Sequence, residues 1–130
     1  MHKLSMIEYT KMFRTLYSSP PPQLHVMFHG TDVAELMRQK DRYVFRYLDA
    51  FNRLGLAPFP GLPDVAPGRE YVSTDLPRFF AERIPDVRRP EIRELIRRER
   101  IDEHDELALL AALGRLSVTD PFELRAAVAA

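Results

Sequence analysis

The amino-acid sequence predicts an all-α protein: several short helices joined by proline-rich loops, with an extended N-terminal segment and no large independent core. Eleven prolines among 130 residues divide the chain into short elements. Between these breaks, apolar residues recur at the spacing of one helix face. Hydrophobic residues make up 45% of the chain, which is enough for only a modest core.

Residues 1–19 form the first predicted element, an amphipathic helix. Its apolar side chains are spaced to share one side, and Lys3, Lys11 and Arg14 stand against a single acid, Glu8. A basic, acid-poor segment of this kind is also weakly similar to a mitochondrial transit peptide, so both interpretations stay open.

Three consecutive prolines at 20–22 favour an extended polyproline conformation. The apolar alternation over 23–30 is too brief to predict a strand. We therefore expect two regions. Residues 1–31 are an N-terminal extension with a proline-rich break, and 32–130 are a helical domain.

The strongest predicted helix runs over about 32–54. Thr31 or Asp32 is a good N-cap, and Glu35 lies three residues after Asp32, at capping-box spacing. Gly55 supplies the left-handed position after the helix end. Lys40 interrupts the apolar stripe near its middle. The stripe consists of Val33, Leu36, Met37, Val44, Tyr47, Leu48, Phe51 and Leu54.

Residues 56–69 contain four prolines and two glycines, which predicts a semi-rigid loop without regular structure. A second helix is expected to begin at Thr74 or Asp75 and to end before Pro85. Proline is tolerated in a first turn, where Pro77 lies.

Three further helices are predicted towards the C-terminus. The first covers Pro90 to Arg100, with proline as a natural first residue. The next covers about Glu103 to Leu116, with Gly114 as a possible earlier end. The last runs from Phe122 to Ala129, and Asp120 is its expected cap.

Composition excludes several classes of function. Nineteen basic residues balance nineteen acidic ones, so the electrostatic footprint of a nucleic-acid-binding protein is missing. Zero cysteines exclude disulfides, thiolate metal sites and a cysteine nucleophile. No apolar run reaches the roughly 20 residues needed to cross a bilayer. Neither a phosphate-binding loop nor a hydrolase or metalloprotease motif is found.

Two groups of polar residues could form a chemical site by their residue types alone. His25 and His29 are four residues apart, a spacing that would let both bind one metal ion if they lay on one helix face. They lie between Pro22 and Gly30, where a helix is not expected. The carboxylates of 102–106 surround His104, but an acidic first helix turn accounts for them through the helix dipole. We expect no catalytic residue, no metal and no cofactor, and hence no enzyme.

One short segment resembles a known family. The sequence FNRLGL, 51–56, is similar to an F-N-K-L-G-L segment of the small "ubiquinone-binding" accessory subunit, subunit seven, of the mitochondrial cytochrome bc complex (complex III). The segments DLPRFFAERIPD, with its turn at 83–85, and RRPEIRELIRR, 88–98, are similar in charge and spacing to later parts of that subunit. The likeness covers about 33–98.

The resemblance implies a non-catalytic structural and assembly subunit of ubiquinol–cytochrome c reductase, located on the matrix side of the mitochondrial inner membrane. Its partners would be cytochrome b and the core subunits, with peripheral contact to the membrane complex and none to nucleic acid. Phe51 and Leu54 would fill pockets of the partner. The expected partner interface comprises Tyr43, Tyr47, Phe51, Asn52, Arg53, Leu54, Leu56, Arg83, Arg93 and Arg97.

Two alternatives remain from other functional classes. The first is a soluble helical adaptor or inhibitor protein, of phage or bacterial origin, that binds a larger machine. The second, weaker alternative is a small enzyme that uses the 102–106 carboxylates.

Overall fold

The computed structural model describes residues 23–126, and they form a mixed α/β domain rather than the predicted all-α chain. Five strands build one antiparallel sheet, and four helices accompany it. In chain order the elements are β1 Gln23–Phe28, β2 Thr31–Gln39, β3 Arg42–Tyr47, α1 Asp49–Arg53, β4 Glu70–Ser73, α2 Arg78–Ala81, α3 Pro90–Glu99, α4 Glu106–Leu113 and β5 Phe122–Ala126.

The sheet has the strand order β4-β3-β2-β1-β5, so the last strand of the domain pairs with the first. Two tight hairpins connect the three central strands. His29 and Gly30, both with positive φ, join β1 to β2, as the mirror-image hairpin turns require. Lys40 has a φ of 58° in the turn from β2 to β3. β1 lies within the predicted N-terminal extension and pairs with β2 along its whole length.

The predicted long helix over 32–54 is wrong, because most of this segment forms the β2–β3 hairpin. Its aromatic residues fit two periodicities at once. Tyr43, Phe45 and Tyr47 alternate with period two and all point into the core. Tyr47 also lies four residues before Phe51, which suggested a helix. Only the final turn, α1, is helical, and Gly55 follows it with the predicted positive φ.

An aromatic cluster occupies the centre of the core, contrary to the expectation of no large independent core. Phe45, Tyr47, Phe51 and Phe80 are completely buried. Phe59, from the proline-rich loop, stacks on Phe79 with ring centroids 3.9 Å apart. The loop over 56–69 is thus packed into the domain by its own apolar side chains.

The hydroxyl of Tyr47, on β3, connects the loop over 56–69 to the sheet by two hydrogen bonds. It donates a hydrogen bond to the carbonyl of Leu62 at 2.5 Å and accepts one from the backbone N–H of Phe59 at 2.9 Å. Burial raises the pKa of Tyr47 to about 12, because the phenolate would lose its hydration there. Two backbone groups of the loop therefore depend on one buried side chain.

The later helices follow the sequence prediction in part. α3 begins at Pro90 as predicted. The second and fourth predicted helices are shorter than expected, and Gly114 follows directly after α4. The predicted last helix is wrong over 122–126, where the chain forms β5. The predictions for 1–22, and the part of the last helix over 127–129, lie outside the described residues.

Candidate functional site

Arg83 is a buried charged side chain beneath the connection between α4 and β5. Its side chain is 2% exposed and lies against the ring of Phe79. It donates two hydrogen bonds to the Asp120 carboxylate, at 2.7 and 2.9 Å. Other donors of the same guanidinium reach the carbonyls of Gly114 and Phe122. The arginine therefore holds both ends of the segment over 114–121, which we call the 114–121 loop.

Further hydrogen bonds fix the interior of the 114–121 loop. The Asp120 carboxylate accepts from the backbone N–H of Phe122 at 2.9 Å. The hydroxyls of Ser117 and Thr119 lie 2.8 Å apart, and the N–H of Thr119 donates to the Ser117 hydroxyl. The N–H of Leu124 donates to the carbonyl of Arg115 at 2.8 Å. This last bond also satisfies the N–H of Leu124, on the outer edge of the edge strand β5.

Gly114 allows the start of the loop to lie close to the turn after α2. A Cβ atom at this position would lie 3.2 Å from the carbonyl oxygen of Arg83 and 3.0 Å from a methyl carbon of Leu110. Both contacts are tighter than ordinary van der Waals distances. Packing therefore favours glycine here, since any larger residue would force its neighbours to shift.

The tip of the 114–121 loop presents apolar side chains to solvent. Leu116 is 63% exposed and Val118 is fully exposed. Arg115 precedes them, and its side chain is 60% exposed. A guanidinium nitrogen of Arg115 lies 3.9 Å from a carboxylate oxygen of Glu123. Among the described residues, two other large apolar side chains are similarly exposed, Leu54 and Val72, and they lie on other elements.

Asp105, in the acidic cluster over 102–106, forms bonds that hold α4 in place. Asp105 caps α4 by accepting from the N–H groups of Leu107 and Ala108. Its carboxylate also pairs with Arg38 of β2, at 2.6 Å. Burial by itself would raise the pKa of Asp105, but the bonds from Arg38 and the backbone outweigh it, and this pKa lies below its ordinary value.

The neighbouring carboxylate of Glu106 accepts a hydrogen bond from the Tyr43 hydroxyl at 2.8 Å. Burial, together with this bond to the carboxylate, raises the pKa of Tyr43 to about 12. Glu103 pairs with Arg93, and Asp102 accepts from the backbone N–H of His104. The bonds of Asp105 and Glu106 join α4 to the sheet, and the pair of Glu103 with Arg93 joins the segment before α4 to α3.

The outer face of the sheet carries a row of charges across all five strands. In register, the row consists of Glu70, Arg46, Glu35, His25 and Arg125. Arg46 donates to Glu35 at 2.8 Å. Cross-strand pairs of opposite charge stabilise a sheet, and Arg46 and Glu35 form such a pair in this row.

The residues predicted to contact a partner fall into two groups. Tyr43, Tyr47, Phe51 and Arg83 are buried, and their side chains serve the core or the 114–121 loop. The others lie at or near the surface, on or just after α1 and on α3. These are Asn52, Arg53, Leu54, Leu56, Arg93 and Arg97.

Sequence reasoning missed the 114–121 loop. The available signal was the pair of apolar residues Leu116 and Val118 within a polar, turn-forming stretch. The predicted helix over 103–116 ended at Leu116, and no element was predicted for Val118, so the exposure of neither residue was recognised. The contact between Arg83 and Asp120 has no sequence signal, because 37 positions separate the two residues.

Within 23–126, the structure groups no three His, Cys, Asp or Glu side chains in a way that could hold a metal ion. A shallow groove of about 210 Å³ lies between α4 and the ends of β1 and β5, with a mainly apolar lining. No helix among the described residues is long and apolar enough to span a membrane.

The sequence model of one protein family, the HipA N-terminal domain, matches residues 24–118 of this chain. The match spans nearly the whole described domain, from β1 into the 114–121 loop. The chain belongs to the HipA N-terminal domain family. This is a bacterial family related to toxin–antitoxin systems. No curated protein matches the chain in sequence.

Membership of the HipA N-terminal domain family overturns the resemblance to complex III. The FNRLGL segment is a short coincidence, since its residues form α1 and the turn after it in an unrelated fold. The predicted role in ubiquinol–cytochrome c reductase is therefore wrong. So are the partners cytochrome b and the core subunits, the place at the mitochondrial inner membrane, and the respiratory-chain assignment. A bacterial adaptor or inhibitor agrees better with the family, although the domain is not all-helical.

Proposed function

We propose that this chain is a non-catalytic protein-binding domain of a bacterial toxin–antitoxin-related system, and that its partner is a HipA-type polypeptide. The observation that carries the proposal is the family match over 24–118. A domain described as N-terminal in HipA is followed there by the remainder of the HipA polypeptide. Such a domain would use part of its surface to contact that remainder.

The chemistry of the described residues supports a binding role. The buried arginine, Arg83, is paired and hydrogen-bonded inside the fold. The buried tyrosine hydroxyl of Tyr47 is occupied by two backbone groups. Asp105 and Glu106 are used by the α4 cap and by the sheet. The polar atoms of these four residues therefore form hydrogen bonds within the fold. Apolar side chains, in contrast, are exposed at the surface.

The binding experiment uses the purified full chain and a purified HipA-family polypeptide from which its own N-terminal domain has been removed. Isothermal titration calorimetry is expected to show saturable binding. The control titrates the same chain into an intact HipA polypeptide, whose own N-terminal domain should compete for the surface and weaken the interaction. The absence of saturable binding to the truncated polypeptide would contradict the proposal.

A second experiment tests the non-catalytic part of the proposal. The cap of α4 and the bonds to β2 and β3 use Asp105 and Glu106. A triple alanine variant of Asp102, Glu103 and His104 therefore removes the other ionisable side chains of the cluster and leaves those bonds in place. Bacterial growth is measured with the chain and the HipA-type polypeptide produced together. We expect the variant to change growth as the wild-type chain does. Loss of the effect in a variant that still binds would favour an enzymatic role instead.

A further inference from the structure

β4 forms one edge of the sheet, and some of its backbone groups face away from the strand it pairs with, β3. The two-residue turn between β2 and β3 makes the pair that flanks it hydrogen-bonded, so the even-numbered residues of β3 bond β2. The odd-numbered residues of β3 therefore bond β4, through Tyr71 and Ser73. The N–H and C=O groups of Glu70 and Val72 consequently point outwards from the sheet.

The two edges of the sheet differ in how these outward groups are satisfied. On β5, the N–H of Leu124 donates to the carbonyl of Arg115 in the 114–121 loop. On β4, within the part of the chain that the structure describes, no loop makes such a bond with Glu70 or Val72. An edge strand in this state can pair with a further strand.

An apolar row on the outer face of the sheet ends at the β4 edge. Met37 lies opposite Val44, and Val44 lies opposite Val72. Val44 has a strand on each side and is only 7% exposed, whereas Val72 has a strand on one side and is 54% exposed. A strand added beside β4 would remove apolar surface of Val72 from water, which is favourable.

We propose that β4 pairs antiparallel with β4 of a second copy of this chain, about a two-fold axis at Val72. In this register the N–H of each Val72 donates to the C=O of the other, and the two side chains become cross-strand neighbours. The two sheets become one, and the apolar row continues from one copy into the other. This inference does not rest on the proposed function, because it concerns association of the chain with itself.

The charges beside the β4 edge favour a second copy over any other strand. In the proposed register, Arg69, just before β4, lies opposite Asp75 of the second copy, and the two-fold axis repeats this pair. Both side chains are exposed, and the Arg69 guanidinium lies over the ring of Tyr71, 5.2 Å from its centroid. Glu70 lies opposite Thr74 of the second copy, so like charges do not meet directly. The edge is thus complementary to itself.

Sedimentation equilibrium of the full chain tests the proposal. Pairing of a short edge buries little surface, so we expect a dimer with a Kd of about 10–100 µM. Val72→Asp places two carboxylates side by side at the two-fold axis and should weaken the dimer by about tenfold or more. Val118→Asp makes the same change at a fully exposed valine of the 114–121 loop, and it should alter the Kd by less than about twofold.

Val72→Pro is a second variant, because proline removes the outward N–H while Tyr71 and Ser73 keep their bonds to β3. Circular dichroism of dilute samples controls folding, and the two aspartate variants should melt within about 2 °C of the wild-type chain. A wild-type chain that stays monomeric at about 1 mM would overturn the proposal. So would a dimer that neither change at Val72 weakens.

Exchange of the charges beside the edge tests the register. Arg69→Asp and Asp75→Arg each place like charges opposite one another in a homodimer, and each should weaken it by about threefold or more at low salt. The double variant restores opposite charges and should recover the wild-type Kd. A mixture of the two single variants should also associate, because each supplies the charges that the other needs. A loss that persists in the double variant and in the mixture would contradict the pairing of Arg69 with Asp75.

Discussion

At the scale of single residues, Arg83 is the buried charge on which the α4–β5 connection depends. Substitution by methionine keeps much of the side-chain volume but removes every hydrogen bond that the Arg83 guanidinium donates to Asp120 and to the carbonyls of Gly114 and Phe122. We expect Arg83→Met to lower the free energy of unfolding by about 3–5 kcal/mol, because it leaves buried acceptors unpaired. Urea denaturation measures this. Arg83→Lys is the comparison, and it should recover part of the loss, since it restores the charge without the planar fork.

Tyr47 is a second buried side chain on which other groups depend for hydrogen bonds, and it carries no charge. Tyr47→Phe leaves the Phe59 N–H and the Leu62 carbonyl without their partner inside the core. We expect a loss of about 1–3 kcal/mol in the free energy of unfolding. Tyr71→Phe is the matched control, since its hydroxyl bonds the Asp64 carbonyl near the surface, and it should cost less than about 0.5 kcal/mol. Equal losses would contradict the anchoring role of Tyr47.

Asp105 predicts a pH dependence. Its lowered pKa means that its stabilising effect is complete above the ordinary carboxyl pKa of about 4 and is lost as the pH falls through the lowered value. Asp105→Asn keeps a good helix cap but loses the charge opposite Arg38. We expect a cost of about 1–3 kcal/mol at pH 7. The difference from the wild-type chain should shrink below about pH 4. Urea titrations between pH 2 and 7 measure this, and a constant difference would contradict it.

At the scale of elements, the β2–β3 hairpin contains a strained turn residue. Lys40 has a positive φ at the first central position of a two-residue connection, where a type II′ turn prefers glycine. Lys40→Gly should raise the free energy of unfolding by up to about 1 kcal/mol, because glycine adopts this conformation without a Cβ clash. Thermal melting measures the gain. Asp41→Gly is the control and should be destabilising, since Asp41 has a negative φ.

The elements also differ in how well local sequence predicts them. α3 was predictable because proline at its first position, alternating charges and a regular apolar stripe all indicate the same structure. The segment over 42–51 was not, because Tyr43, Phe45 and Tyr47 fit the strand period while Tyr43, Tyr47 and Phe51 fit the helix period. Pairing with β2 and β4 decides in favour of the strand. The residues of β4 lie more than twenty positions after β3, so a local pattern does not include them.

At the scale of the whole molecule, the aromatic core predicts that the domain folds without a partner. An obligate subunit that depends on its interface should be partly molten when isolated. Here, eighteen buried side chains form one continuous core cluster. We expect the isolated chain to unfold in a single cooperative transition. Near-ultraviolet and far-ultraviolet circular dichroism should give coincident urea midpoints. Early loss of the near-ultraviolet signal would indicate that the core needs a partner.

The candidate site also belongs to the scale of the whole molecule. The 114–121 loop takes its shape from the turn after α2, the end of α4 and the β5 edge together. Asp105 and Glu106 likewise find their partners only where α4 meets β2 and β3. Both sites join residues that are far apart in the chain, so neither could be recognised from local patterns.

The sequence by itself determined the balanced charge, the absence of thiol chemistry, the proline-started helix α3 and the glycine that follows α1. These features depend on composition or on residues within one or two helical turns. Only the tertiary structure decided the sheet, the burial of Phe51 and the placement of Val118 at the tip of a fixed loop. Strand pairing and loop anchoring join distant residues, because backbone hydrogen bonds and buried charges must find partners wherever the fold brings them.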